Sequence, residues 1–277
     1  MITTVLSVIV LHHPHIDATR NLIQQLKKQY SALVVVDNSP NSHQTELAEL
    51  FSPEDAYYHF PQNIGLGAAH NVGIKRAMEL NCNFVAIFDQ DSTIPSELIE
   101  KLIRTFDEIS QIDPTIAAVG PSYIDDRTNK KNKSNFVFRH TKKKMLISSG
   151  SLLSIATLKN IGLMDEDLFI DLIDTEWCHR AYKKGYSVYK SALATMAHRV
   201  GEVQPILGGR YQITCMNPFR CYYYARNVKR LMLQRRISFL VGCYALCIYI
   251  PRVLIKALFL PNTGMYYKNL IRGFLAK

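Results

Sequence analysis

Two carboxylates directly after an apolar run are the side chains best placed to do chemistry. Asp89 and Asp91 are separated by one residue and follow the apolar run 84–88. Carboxylates this close repel each other unless a cation or hydrogen-bond donors neutralise them. Mg²⁺ and Mn²⁺ prefer such oxygen ligands and often share them with phosphate. The pattern therefore predicts a site for a divalent metal ion, a phosphate or both.

A second polar cluster follows another apolar run. Asp37, Asn38, Ser39 and Pro40 come directly after the run 33–36. All four residue types favour turns, so the tetrapeptide alone is compatible with a plain turn as well as with a binding loop.

A third cluster places acids among apolar neighbours. Asp171, Asp174 and Glu176 lie close to Trp177, the single tryptophan of the chain. If this segment is helical, Asp171 and Asp174 share a face because they are three residues apart. Acids near a helix N-terminus often only compensate the helix dipole, so a structural role is the alternative.

The elements that must position these side chains alternate between strand and helix patterns. Apolar or β-branched runs at 5–11, 33–36, 57–60 and 84–88 predict strands, and amphipathic segments between them predict helices. This alternation predicts an α/β fold with a mostly parallel sheet covered on both faces. Ligands of such sheets bind beyond the carboxyl ends of the strands, which is where the polar clusters lie.

A glycine pair, Gly65 and Gly67, precedes the next helical segment. It is not a dinucleotide-binding fingerprint, because His70 replaces the third glycine and the pair does not follow the opening strand of a first βαβ unit. Glycines at a helix start still let backbone amides approach phosphate or sugar oxygens.

Composition narrows the class of protein. With 277 residues, 48% hydrophobic and 20% charged, the chain is a globular protein rather than a disordered one. Its net charge of +10 is unevenly spread: residues 1–202 carry 21 basic and 23 acidic side chains, and twelve basic side chains and no acidic ones follow Glu202. This asymmetry predicts an anionic surface as the partner of the C-terminal part.

The C-terminal part combines this charge with an uncharged run at 237–251, between Arg236 and Arg252. The run is shorter than the ~20 residues of a membrane span, so an interfacial helix or hairpin on an anionic membrane is predicted. Packing on the rest of the protein or on a second copy is the alternative. Residues 1–217 are predicted to form the catalytic domain and 218–277 a basic amphipathic membrane-association segment.

A nucleic acid is not the predicted partner, although three consecutive tyrosines, 222–224, offer stacking surfaces. An acidic rim disfavours a polyanion. The six cysteines contain no CxxC pair, which is typical of a reducing compartment. No basic segment precedes the first apolar run, so we expect a cytoplasmic protein associated peripherally with the inner face of the plasma membrane.

Taken in order, the motifs resemble glycosyltransferase family 2 over roughly residues 4–230, and most closely the bacterial rhamnosyltransferases that use dTDP-L-rhamnose. The motifs are Asp37-Asn-Ser, Asn63-Ile-Gly-Leu-Gly with Asn71-Val-Gly, Asp89-Gln-Asp-Ser, Asp165-Glu-Asp-Leu-Phe, Ile173-Asp-Thr-Glu-Trp-Cys-His-Arg and His198-Arg-Val-Gly.

The resemblance implies a GT-A nucleotide-sugar-binding fold and an inverting transfer that depends on Mg²⁺ or Mn²⁺. The implied donor is dTDP-L-rhamnose, and the implied acceptor is a lipid-linked saccharide of a surface polysaccharide such as O-antigen. Alternatives are a nucleotide-sugar-binding protein without turnover and a family 2 transferase that uses another donor such as UDP-hexose. Whether the protein forms a homo-oligomer is left open.

The resemblance also assigns roles to single residues. Asp174 corresponds to the family's base. Ile173 stands where the family usually has Glu, which leaves Asp171, Glu176 and Trp177 as acceptor-side alternatives. Nucleotide-sugar contacts fall on Asp37, Asn38, Asn63, Gly65, Asn71, Asp89 and Gln90, and metal ligands on Asp89, Asp91 and His198. For His198, an ordinary hydrogen-bonded histidine is the alternative.

Overall fold

A computed structural model describes residues 4–29, 32–124, 139–197, 202–206 and 211–276. His198, one of the predicted metal ligands, lies outside these residues.

The first half of the central sheet consists of the four strands that the sequence predicts. They are β1 (Val5–Leu11), β2 (Ala32–Asp37), β3 (Ala56–His59) and β4 (Phe84–Asp89), and they lie parallel in the order β3-β2-β1-β4. The connecting helices are α1 (Ile16–Lys27), α2 (Gln44–Leu47) and α3 (Leu66–Glu79). In the register, Asp37 pairs with Leu11 and Asp89 with Val10. Both carboxylates therefore lie at the same edge of the sheet.

Apolar runs such as β1 are buried because both faces of the sheet are covered. Successive side chains of a strand point to opposite faces. Val8 accordingly packs in the core that includes α3, whereas Ile9 packs in the core that includes α1.

The second half of the sheet is mixed. The helix α4 (Leu98–Ser110) leads to β5 (Ile116–Ile124), which is followed by β6 (Thr141–Lys143), β7 (Ser151–Ser154) and β8 (Ser187–Ala197), and the complete order is β3-β2-β1-β4-β7-β5-β8-β6. β7 runs antiparallel to both β4 and β5. Four of the seven strand pairs that this sheet shows in the described ranges are parallel, which agrees with the predicted mostly parallel α/β sheet.

Two helices follow β7, and the second carries Asp174 and Glu176 of the third acidic cluster. They are α5 (Ile155–Ile161) and α6 (Ile173–Lys183). The strands β9 (Glu202–Ile206) and β10 (Tyr211–Cys215) then form a separate antiparallel pair. The C-terminal helices are α7 (Pro218–Leu233), α8 (Phe239–Tyr244), α9 (Ile250–Ala257) and α10 (Thr263–Leu275), and a π-helical turn, Ala245–Tyr249, joins α8 to α9.

Within the described part of the chain, one continuous helix, Phe239–Ala257, is long and apolar enough to cross a membrane, by length and composition only. The uncharged run used in the sequence argument ends at Pro251, but the helix continues through Arg252 and Lys256. Only 22% of its apolar window is buried. α7, in contrast, packs against the segment that precedes α6, so it contacts the sheet-bearing part of the chain directly. The boundary at 217/218 stays a prediction.

Candidate active site

Asp37 ends β2 and is buried. Its carboxylate accepts hydrogen bonds from the Tyr57 hydroxyl (2.5 Å), the Ser39 amide (2.9 Å) and the His43 amide (3.0 Å). Burial by itself would raise the pKa of Asp37, but these hydrogen bonds outweigh it and lower the pKa. The carboxylate is therefore ionised and holds the loop after β2 in place. Its contact with a nucleotide base stays a prediction.

Three other predicted nucleotide-sugar residues meet beside this loop. The Asn38 side chain donates to the Gly65 carbonyl (3.3 Å), and the Gly65 amide donates to the Asn63 side chain (2.8 Å). Gly65 has a φ of +89°, a conformation that a glycine adopts without strain. The buried Asn38 Oδ1 has no hydrogen-bond partner among the residues that the structure describes.

Gln90 links the ends of β1 and β4. Its side chain accepts from the His12 amide (2.7 Å) and donates to the His12 carbonyl (3.2 Å). This pair of bonds fixes the backbone on which Asp89 and Asp91 lie.

Three predicted carboxylates from two segments converge at this edge. Burial, followed by the charges of Asp91 and Asp174, raises the pKa of Asp89 to about 6, and the nearby Arg220 opposes this shift. Burial also raises the pKa of Asp174, and the charge of Asp171 adds to that rise. The carboxylates thus lie within electrostatic range of each other. Among the described residues, however, no group of three His, Cys, Asp or Glu side chains is close enough to hold a metal ion.

Asp174 lies in the first turn of α6 and accepts hydrogen bonds at Oδ1 from the Thr175 amide (2.7 Å) and the Thr175 hydroxyl (3.3 Å). A carboxylate whose pKa is raised by its surroundings is a better proton acceptor than an ordinary aspartate. The role of Asp174 as the base stays a prediction.

Asp171 does not share a helical face with Asp174, because α6 begins only at Ile173. Asp171 has a φ of +66° and Leu172 a φ of +63°, so the chain is left-handed immediately before the helix. The Asp171 carboxylate forms an ion pair with Arg220. The prediction that Asp171 and Asp174 share a helical face is therefore wrong, and the Asp171 carboxylate is occupied by Arg220.

Glu176 and Trp177 face the protein interior. The buried Glu176 carboxylate accepts from Arg180 (3.0 Å) and Arg236 (2.8 Å), and the Trp177 indole donates to the Gly162 carbonyl (3.0 Å). These contacts fasten α6 to the fold. The structure therefore does not support placing either side chain at the acceptor.

Asn71 is also structural. Its buried side chain bonds both the amide and the carbonyl of Met164 (2.9 Å each) and the Glu166 carboxylate (2.9 Å). These bonds tie α3 to the segment before α6. A direct contact between Asn71 and the nucleotide sugar is not supported, because the amide groups are already used within the chain.

Arg220 and Asn227 of α7 reach the site although the sequence argument gave them no role there. Arg220 binds Asp171, and Asn227 contacts backbone carbonyls of the segment 168–171. Sequence analysis placed Arg220 only in the basic C-terminal part. The dipeptide Asn217-Pro218 is a sequence signal for the start of a helix, and it places Arg220 in the first turn. In the structure Asn217 caps α7 by accepting a hydrogen bond from the Arg220 amide (3.0 Å).

Comparisons with known proteins agree with this geometry. Residues 7–171 match the family model of glycosyl transferase family 2. The chain is 31% identical to the dTDP-rhamnosyl transferase RfbF of Shigella flexneri, over 87% of this chain and 84% of the relative. It is 24% identical to the low-salt glycan biosynthesis hexosyltransferase Agl10 of Haloferax volcanii, over 75% of this chain and 71% of the relative.

Solved structures of S. aureus TarS share the fold. The 1–349 fragment covers 98% of this chain and 89% of its own length, with a TM-score of 0.56 and 15% identity. A longer TarS structure also matches 98% of this chain with a TM-score of 0.56 at 14% identity, and this chain spans 54% of its length. At these identities the likeness concerns the fold alone.

Proposed function

Because the chain belongs to glycosyltransferase family 2 and is a glycosyltransferase, we propose that it transfers L-rhamnose from dTDP-L-rhamnose to a lipid-linked saccharide acceptor. The observation that carries the proposal is the convergence of Asp89, Asp91 and Asp174 at the sheet edge. The Shigella relative, named as a dTDP-rhamnosyl transferase, supports the choice of donor.

The proposed reaction is a single displacement that inverts the anomeric centre. An acceptor hydroxyl oxygen forms a bond to the anomeric carbon while the bond to the nucleoside diphosphate oxygen breaks and that oxygen keeps the electron pair. Asp174 takes the proton of the attacking hydroxyl, because it is the carboxylate near the metal-binding pair whose pKa is raised and which no ion pair occupies in the described contacts. A positioned general base of this kind contributes ~10²–10⁴-fold to the rate.

Asp89 and Asp91 are the residues that would hold Mg²⁺ or Mn²⁺, with His198 outside the described residues. The fit rests on charge: Asp89 is half-buried, and desolvation together with the charges of Asp91 and Asp174 raises its pKa, while Arg220 opposes this rise. Two carboxylates suit a hard divalent ion that takes its other ligands from a diphosphate. When bound, such an ion would neutralise charge that develops on the leaving diphosphate.

The C-terminal helices support a peripheral location on an anionic membrane at its cytoplasmic face. Phe239 and Leu240 of α8 are each 75% exposed, and Leu258 and Phe259 beyond α9 are also exposed. The chain after Glu202, which carries this apolar surface, has twelve basic side chains and no acidic ones. Exposed apolar side chains together with cations suit anionic headgroups, at ~1 kcal/mol for each cation near the surface. All six cysteines are free thiols, which agrees with a reducing compartment.

A donor screen tests the activity. Transfer or donor hydrolysis is measured with dTDP-rhamnose, UDP-glucose, UDP-galactose and GDP-mannose, each with Mg²⁺, Mn²⁺ or EDTA. We expect turnover with dTDP-rhamnose. A preference for a UDP-hexose would replace the proposed donor and would favour the relation to the Haloferax hexosyltransferase. Binding of a nucleotide sugar without turnover of any donor would reject the enzymatic proposal.

A flotation assay tests the membrane proposal. Leu240→Glu should reduce recovery with anionic vesicles, because it places a carboxylate in the exposed apolar surface of α8. Ile112→Glu is the matched control, since Ile112 is 80% exposed after α4, far along the chain from α8. Equal recovery of both variants with anionic vesicles would contradict the proposed surface. Wild-type recovery should fall with salt as screening shortens the reach of the cations.

A further inference from the structure

The segment that leads into α6 is strained. Phe169, Asp171 and Leu172 all have positive φ values, between +63° and +66°. Side chains other than glycine rarely adopt this conformation, and it persists only where the surroundings impose it. The segment 165–172, named the acidic loop below, therefore needs an external support.

Asn227 of α7 supplies much of that support. Its buried side-chain amide contacts the carbonyls of Leu168 (2.9 Å), Ile170 (2.8 Å) and Asp171 (3.0 Å). One amide group thus contacts three carbonyls of the segment, and one of these belongs to the strained residue Asp171. Removal of the donor would take this partner from the partly buried carbonyls of Ile170 and Asp171, which is unfavourable, whereas the Leu168 carbonyl would keep the Ile170 amide as a donor.

Other α7 side chains reinforce the same contact. Arg226 donates to the carbonyls of Asp167 (2.6 Å) and Leu168 (3.0 Å), and the Tyr223 ring stacks on Phe169 at 4.6 Å between centroids. Arg220 holds the Asp171 carboxylate. Residues 167–171 of the acidic loop therefore contact one face of α7.

The acidic loop determines where α6 begins. The Leu172 carbonyl accepts from the Glu176 amide (2.9 Å), which is a hydrogen bond of the first helical turn. Asp174 lies in that turn. A change in the backbone at 170–172 would consequently move the Asp174 carboxylate relative to Asp89 and Asp91.

We propose that Asn227 is a positioning residue, which holds the acidic loop in the strained conformation that places Asp174 for proton transfer. The proposal rests on the proposed function, in which Asp174 is the base. It makes α7 part of the catalytic apparatus, although α7 begins the segment that the sequence assigns to membrane association.

Asn227→Asp tests this in the full-length protein. The carboxylate keeps the size of the side chain but cannot donate to the three carbonyls when ionised. We expect kcat to fall at least tenfold while the dTDP dissociation constant changes less than twofold, because the predicted donor residues on β2 and β4 lie on other elements. The pH at which kcat reaches half its maximum should also shift, since the surroundings of Asp174 change.

Asn269→Asp is the matched control. Asn269 of α10 donates to the Pro218 carbonyl (2.9 Å) at the start of α7 and makes no described hydrogen bond to the acidic loop. This variant should keep the wild-type kcat. If Asn227→Asp does not fold, Asn227→Ser takes its place, because a smaller hydroxyl retains one donor.

A double-mutant cycle with Asp174→Asn separates positioning from general damage. If Asn227 acts through Asp174, its replacement should have little further effect on kcat in the Asp174→Asn background. Additive losses, or a kcat within twofold of wild type, would overturn the proposal. So would a proportional loss of kcat, dTDP affinity and melting temperature.

Failure of the proposed function has a different signature. In that case the wild-type protein transfers no sugar, or Asp174→Asn keeps its turnover. Amide hydrogen exchange then decides the support of the loop by itself: the Glu176 amide should exchange faster in Asn227→Asp than in Asn269→Asp, and equal exchange rates would overturn the support by Asn227.

Discussion

Replacement of Asp174 by asparagine is the most direct test of the catalytic assignment. The substitution removes the negative charge and the proton-accepting ability and leaves the volume almost unchanged. The hydrogen bonds from Thr175 to Oδ1 can persist, because a carboxamide oxygen accepts both of them. We therefore expect the start of α6 to keep its conformation.

The size of the effect follows from the role. Loss of a general base lowers kcat by ~10²–10⁴-fold, which corresponds to about 3–5 kcal/mol in the activation free energy. The free energy of unfolding should rise or remain constant. The charge of Asp174 raises the pKa of Asp89 by repulsion, so its removal relieves an unfavourable interaction in the folded protein.

Three measurements are needed together: kcat with saturating dTDP-rhamnose, the affinity for dTDP, and the melting temperature. The expected result is a large loss of kcat with dTDP affinity and melting temperature retained. A kcat within threefold of wild type refutes the assignment of the base. If Asp171→Asn loses turnover in its place, Asp171 is the base. A melting temperature that falls along with kcat would indicate structural damage instead.

Three further predictions concern charge and burial. Glu176→Gln should lower the free energy of unfolding by about 3–5 kcal/mol in denaturant titrations, because it leaves Arg180 and Arg236 without their buried partner; unchanged stability would contradict the structural role. His70 is fully buried and has no hydrogen-bond partner in the part of the chain that the structure describes, and burial lowers its pKa to about 4. The unfolded chain binds a proton near pH 6.5 and the folded one only near pH 4, so stability should decrease by about 3 kcal/mol as pH falls through this window. His70→Leu should remove that part of the pH dependence, and an unaltered slope would show that other groups cause it. Asp91→Asn should weaken dTDP binding with Mn²⁺ present but not with EDTA, since it removes a ligand charge; a wild-type rate that is insensitive to EDTA would exclude the metal site.

The parallel half of the sheet and its polar edge followed from the sequence alone. Each of the strands β1, β2 and β4 is a short apolar run, and β2 and β4 end in a carboxylate at the predicted edge. Such strands are recognisable because burial on both faces demands apolar side chains at successive positions. The positions of Asp37 and Asp89 then follow from the parallel arrangement, since equivalent strand ends meet at one edge.

The antiparallel insertion of β7 between β4 and β5 was decided only by the tertiary structure. A buried strand of four residues looks the same in sequence whichever way it runs. Its direction depends on where the preceding chain returns to the sheet, and the Gly150 amide donates to the Ile87 carbonyl (2.7 Å) at that return.

The division of the acids into chemical and structural ones was also decided by tertiary contacts. Glu176 is paired with Arg236, 60 residues farther along the chain, and Asp171 with Arg220, 49 residues farther. By contrast, the described hydrogen-bond partners of Asp174 are Thr175 and the Ser148 backbone, and no described ion pair includes its carboxylate. Residue types and local spacing showed that carboxylates gather near α6. Which of them remains available for chemistry depends on the cations that the fold brings from distant parts of the chain, and local spacing does not contain that information.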